Sequence, residues 1–155
     1  MVMKLESQIE QIRRVLSQLH DPEIPVISLE DLGVLRGIET DESSIEVTIT
    51  PTYSGCPAKE IMQQDIIDLL NKEFDKEVRI KEQLSPAWTT DWITEKGKNA
   101  LFKYGIMPPS RDGIVICPQC ESSNVVLISQ FGSTACKALY KCNECLEPFD
   151  YFKCH

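Results

Sequence analysis

Near the C-terminus the chain repeats one short pattern, Cys117-Pro-Gln-Cys120 and Cys142-Asn-Glu-Cys145, across 21 intervening residues. Four thiolates grouped two and two, each pair on a tight turn, meet the tetrahedral demand of a d10 ion such as zinc. The interval is slightly longer than the ~15–20 residues usual for such sites. Rubredoxin-like iron takes the same four thiolates, so spacing leaves zinc and iron both open. The segment from about Arg111 to His155 is too short to fold on apolar burial alone. The metal must therefore supply what the core lacks, and a small separate module is expected at this end.

The rest of the composition is that of an ordinary soluble chain: 155 residues, 42% hydrophobic, 26% charged, net charge −8. Charges interrupt Met1–Glu10 where a signal peptide needs an apolar run, and no stretch approaches membrane-spanning length, so a cytoplasmic protein is expected. Seven cysteines in a reducing compartment read as ligands, reactive thiols or core rather than as a disulfide frame. Residues 1–108 carry 12 basic against 19 acidic residues and residues 109–155 carry 4 against 5. Many zinc ribbons grip nucleic acid, but that binding leans on a basic footprint absent from both segments. Lys137 and Lys141 alone read as a solvated face.

Along the chain, Ile9, Ile12, Leu16 and Leu19 recur at helical spacing and predict an amphipathic first helix, stopped by Asp21-Pro-Glu-Ile-Pro25. Val34, Leu35 and Ile38, then Ile45, Val47 and Ile49, predict two strands joined by the polar turn Thr40–Ser43. A loop, Thr50-Pro-Thr-Tyr-Ser-Gly-Cys-Pro57, feeds a second helix through Ile61, Met62, Ile66, Leu70 and Phe74, with Pro57 at its first position and Cys56 as its cap. Val78 and Ile80 supply a third strand, expected parallel to the second. A third helix is expected from about Asp91, capped by Thr89 or Thr90 and ended by Gly105, with a Pro/Gly-rich linker behind it. The predicted architecture is α+β: a two-layer α/β domain of order α-β-β-α-β-α over 1–108, then a small zinc-ribbon β domain over 109–155. In the ribbon, Ile114–Ile116, Val125–Ile128 and Phe149–Phe152 are the β-prone runs.

Cys56 is the residue of the first domain with most chemical promise. A sulfur at a helix N-terminus faces unpaired N–H groups and the positive end of the dipole, which favours thiolate. It reads as a nucleophile, a metal ligand or a small core residue under a turn. Asp21 and Glu23, bracketing Pro22, read as carboxylate ligands, as a base, or as a turn. His20 at a helix end reads as a dipole partner. There is no Ser-His-Asp order, phosphate-binding glycine loop or His-Glu-x-x-His helix, so no catalytic machinery is assembled and no enzyme is expected.

The stretches Asp21–Pro25, Asp31-Leu-Gly-Val34 and Thr48–Pro57 resemble the MIP18 (DUF59) family, whose members are associated with iron–sulfur cluster assembly. Ser85-Pro-Ala-Trp-Thr-Thr-Asp-Trp-Ile93, Gly105-Ile-Met-Pro-Pro109 and Phe131–Tyr140 resemble the D-subunit family of the phenylacetyl-CoA epoxidase (phenylacetate oxygenase) system. The resemblance covers essentially the whole chain. It implies an accessory protein of aerobic phenylacetate catabolism that assists maturation of a di-iron oxygenase or its iron–sulfur reductase, with those subunits or iron–sulfur assembly proteins as partners. It places the family's reactive-loop cysteine on Cys56, its acidic motif on Asp21 and Glu23, and the zinc ligands on Cys117, Cys120, Cys142 and Cys145.

Cys136 and Cys154 are surplus to a four-coordinate site and read as core packing and a frayed terminus. A sharper expectation places Cys136 beside Cys56, sharing a transient iron or cluster. Two functions of different class follow. In one, Cys56 with Asp21 or Glu23 holds iron or a cluster weakly enough to release it. In the other, the protein is a docking scaffold of the oxygenase complex and no metal moves.

Overall fold

The computed structural model describes residues 2–52 and 58–153, without the side chains of Val2, Met3 and Leu5. By the density of their internal packing the residues divide into two units, Met1–Trp88 and Thr89–His155. No helix among the described residues is long and apolar enough to cross a membrane.

In the first unit, helix α1 (Val2–Leu16) presents Ile12 and Leu16 to the interior. The loop after it is pinned at both ends: His20 bridges to Ser28, and the Asp21 N–H donates to Ile27 O at 3.0 Å. A single helical turn, α2 (Leu29–Leu32), follows and was not anticipated from the sequence; Ser28 caps it by accepting the Asp31 N–H. Strands β1 (Leu35–Thr40) and β2 (Ser44–Ile49) pair antiparallel, with Ile38 opposite Val47. Their turn is held by Asp41, whose Oδ1 accepts the N–H groups of Ser43 and Ser44, each at 2.8 Å. Helix α3 (Lys59–Glu73) then returns the chain to β3 (Glu77–Glu82), which lies parallel to β2 as expected, Ile45 opposite Val78 and Val47 opposite Ile80.

The sheet order is β1-β2-β3, with α1 packed on β1 and α3, and α3 on β3. Alternation along β2 buries Ile45, Val47 and Ile49, and Met62, Ile66 and Leu70 are the buried residues of α3. Trp88 closes the unit: it is buried, and its indole N–H donates to Leu32 O at 3.0 Å.

The second unit opens differently from the expected single helix at Asp91. Thr89 caps only a 3-10 turn, Thr90–Trp92, and Ile93 is extended. Helix α4 (Glu95–Tyr104) starts afresh from Thr94, whose hydroxyl accepts the Gly97 N–H. A threonine that caps its own downstream turn competes with continuing the upstream one, which divides the segment. Gly105 ends α4 with φ 97°, a left-handed conformation that glycine adopts without strain.

Directly after Gly105 comes β4 (Ile106–Met107), an edge strand of the ribbon sheet, parallel to β7 (Pro148–Phe152). The sheet order is β4-β7-β6-β5, with β5 spanning Val125–Ser129 and β6 spanning Lys137–Cys142. The packing boundary therefore falls between Trp88 and Thr89, ahead of residue 108, because β4 is recruited by β7. Residues 114–116, expected to be β-prone, form no strand; Val115 and Ile116 instead pack as loop against the ribbon core.

Candidate metal centre

Each Cys-x-x-Cys pair occupies a tight turn whose backbone points at sulfur. In the first knuckle the Gln119 N–H lies 3.3 Å from Cys117 Sγ; in the second the N–H groups of Glu144 and Cys145 lie 3.4 and 3.5 Å from Cys142 Sγ. Both turns end alike, with a left-handed residue just after the second cysteine: Glu121 at φ 62° and Leu146 at φ 67°. Strands β5 and β6 bring the knuckles together, Val125 opposite Cys142. The four Sγ atoms all lie within 4.8 Å of one another, with Cys117–Cys145 at 3.6 Å and Cys120–Cys142 at 3.5 Å. None of the described cysteines is in a disulfide.

Thiolates on a tetrahedral zinc, with bonds of about 2.3 Å, stand about 3.8 Å apart. The Cys117–Cys145 and Cys120–Cys142 separations lie close to that value, so the donor set fits the ion. Its electrostatics point the same way. The Cys145 N–H, opposed by burial and reinforced by the Glu144 N–H, brings the Cys142 thiol down to about 7. The Glu147 N–H lowers Cys145, but burial and the thiols of Cys117, Cys142 and Cys120 outweigh it and push Cys145 up to about 12. The Ser122 N–H likewise lowers Cys120, and Cys142 with burial carries it upward. Four sulfurs this close cannot all be anionic on their own; a dication in their midst reverses that balance.

Sequence reasoning located the four cysteines but missed β6, the inner strand that carries Cys142. Two lysines and an alanine mask it, although Ala138, Tyr140 and Cys142 alternate toward the core as a strand requires. Lys137 is itself buried and finds Asp150 Oδ2 at 3.8 Å. The β5–β6 loop crosses so close that a Cβ on Gly132 would meet Asp150 Oδ1 at 2.6 Å.

Cys136 lies outside the metal cluster. It is buried, with Thr134 Oγ1 3.0 Å from its sulfur, and the six residues of β6 set it about 20 Å from Cys142. In the first unit, Asp21 is 7% exposed and its Oδ1 accepts the N–H groups of Glu23 (2.7 Å) and Ile24 (2.9 Å). The carboxylate is thereby fixed in its own loop, and Glu23 is carried on the same turn. Thr50, at the end of β2, has a buried hydroxyl with no hydrogen-bond partner among the described residues. Cys56, with the rest of residues 53–57, and Cys154 lie outside the described residues; α3 is described from Lys59, with Ala58 before it making no side-chain cap.

Comparison with known proteins separates the same two parts. Residues 9–81 match a family model described as iron–sulfur cluster assembly protein, and residues 107–153 match the PaaD zinc beta ribbon domain. A protein of Porphyromonas gingivalis (strain ATCC BAA-308 / W83) described as an Fe-S protein maturation auxiliary factor is 32% identical over 63% of this chain and 91% of its own length. A DUF59 crystal structure from Bacillus anthracis superposes with a TM-score of 0.61 at 24% identity, over 65% of this chain and 97% of its own, which establishes the fold of the first unit. An Escherichia coli (strain K12) protein, assigned provisionally as the D subunit of 1,2-phenylacetyl-CoA epoxidase, is 46% identical over 95% of this chain and 93% of its own length. An iron–sulfur assembly (DUF59) domain joined to a four-cysteine zinc ribbon, matched nearly end to end by that relative, places this chain in the family of phenylacetyl-CoA epoxidase D subunits.

Proposed function

We propose that this chain is an accessory protein that assists iron or iron–sulfur cluster loading of partner proteins, its clients being the oxygenase or reductase components of a phenylacetyl-CoA epoxidase. The observation that carries the reading is the extent of the likeness to the maturation factor: nearly the whole of that protein is covered, and the assembly-family match spans both Asp21–Pro25 and Cys56. The ion or cluster is cargo here, distinct from the structural ion of the ribbon.

In this reading Cys56 is the soft ligand and Asp21 and Glu23 are the hard ones, a mixed set that holds iron without locking it. Two N–H groups on Asp21 Oδ1 orient that carboxylate. The Thr50 hydroxyl, buried and without a partner among the described residues, belongs to the first residue of the stretch Thr50–Pro57 that carries Cys56. Cys136 is a lesser candidate, since its sulfur is enclosed beside Thr134.

The test is the iron and sulfide content, with specific activity, of oxygenase and reductase produced with and without this protein. Underloaded partners, restored by wild type and by Cys136→Ala but not by Cys56→Ala, are the expected result. Fully loaded partners in its absence would make the chain a docking component instead.

A further inference from the structure

Four strands border the two sheets, and three of them are guarded. Strand β1 carries Arg36 and Glu39, β3 carries Glu77, Arg79, Lys81 and Glu82, and β4 is two buried residues long. Strand β5, Val125-Val-Leu-Ile-Ser129, has no such protection. It sits inside residues 122–136, which contain no charged residue. Val126, Leu127 and Ile128 are 46, 39 and 53% exposed, and a bulge between Leu127 and Ser129 interrupts the strand's pairing with β6. Among the described residues no strand pairs with its outer side, so a row of N–H and C=O groups lies open beside apolar side chains. Charge, proline or brevity normally blunts such an edge, and an edge without them is a template for another strand.

We propose that β5 is a homodimer interface, pairing antiparallel with β5 of a second copy about a twofold axis at Leu127 and joining two four-stranded sheets into one of eight. Charge selects a second copy as the occupant. Residues 1–88 carry 9 basic and 17 acidic residues, and residues 89–155 carry 7 of each, so the whole net charge of −8 resides in the first unit. Two copies therefore repel through their first units and meet without repulsion at the ribbon edge. In the twofold register Leu127 faces its own copy, Val126 faces Ile128, Val125 faces Ser129 and Asn124 faces Gln130, and no charge is set against a like charge. The same operation centred on Arg79 of β3 would set that arginine against its own copy.

Sedimentation equilibrium of the zinc-loaded 155-residue chain from micromolar to hundreds of micromolar tests this. The wild type is expected to be dimeric. Leu127→Glu and Leu127→Lys are each expected to weaken the dimer on the order of a hundredfold, because residue 127 meets itself. An equimolar mixture of the two is expected to restore it, with zinc content and circular dichroism unchanged throughout. Hydrogen-exchange protection of the β5 amides that rises with concentration reads the same pairing in the unsubstituted protein. A wild type that stays monomeric, a dimer indifferent to both substitutions, or a mixture that fails to recover would each overturn the proposal. A monomer whose association with epoxidase subunits is lost in Leu127→Glu would assign the strand to a different partner and overturn it equally.

Discussion

In the N-terminal unit Leu16, Ile45, Ile49, Ile66 and Leu70 are fully enclosed aliphatic side chains drawn from two helices and the central strand. In the ribbon the buried cluster is Met107, Cys117, Ala138, Cys142, Phe149 and Tyr151, so two of its six residues belong to the metal set. The first unit separates what holds it together from what it presents: its core is aliphatic, and its edges and net charge face water. The ribbon does not separate them, because Cys117 and Cys142 are core and ligand at once. Loss of the ion there removes the cross-link and leaves two of the six core residues as crowded thiols, while the aliphatic core of the first unit has no such dependence.

Metal removal is the largest perturbation of that contrast. Structural zinc in small modules is worth about 10–16 kcal/mol at neutral pH, more than a core of six residues can replace. Chelation, or Cys142→Ser, is expected to abolish hydrogen-exchange protection across β5, β6 and β7 while amides of β2 and α3 stay protected. Simultaneous loss in β2 would break the contrast. The reverse experiment is Leu70→Ala, which empties a fully enclosed site on α3 and is expected to cost about 3 kcal/mol, read as a lower urea midpoint for the β2 amides. Zinc content is expected to stay at the wild-type value.

Legibility in the sequence follows the same division. Strand β2 alternates Ile45, Val47 and Ile49 with polar residues, and α3 recurs at helical spacing, so pattern alone gives the first sheet and its parallel third strand. The ribbon obeys the spacing of its cysteines rather than its hydrophobicity. The four ligands were therefore readable, while β6 was hidden by Lys137, whose charge is absorbed by Asp150, a partner 13 residues away. Strand β4 was invisible because two residues carry no period, and it exists only because β7 recruits it. Asp21 was singled out for its acid and its proline neighbour; that both would serve a loop closed by His20 and Ser28 depends on pairing no local window contains.

Each knuckle ends on a left-handed residue that is not glycine, and Leu146, 64% exposed, gains little packing in return. A left-handed L-residue costs about 1–2 kcal/mol. Leu146→Gly relieves that strain, offset in part by glycine's greater freedom in the unfolded chain, and is expected to stabilise the ribbon by about 1 kcal/mol. The check is denaturation of the zinc-loaded protein followed by thiol release. No change in midpoint would mean that the ion, rather than the backbone, sets the knuckle's conformation.

Acid separates the two units most gently. In the β1–β2 turn the N–H groups of Ser43 and Ser44, with the Ser43 hydroxyl, hold the Asp41 carboxyl down to about 2. In the unfolded chain an aspartate titrates near 3.9. Since the folded value is the lower one, the contribution of Asp41 is fully present above about pH 4 and is lost as pH falls through about 2. The ribbon responds earlier, because protons compete with the ion for thiolates at much higher pH. Lowering the pH from 7 is therefore expected to release zinc first and leave the hairpin intact. Between pH 4 and 2 the exchange protection of β2 amides is expected to fall more steeply in wild type than in Asp41→Ala, which has no carboxylate left to protonate. Equal slopes would show that the turn is held by its backbone alone, and that the first unit owes its acid tolerance to the aliphatic core beneath it.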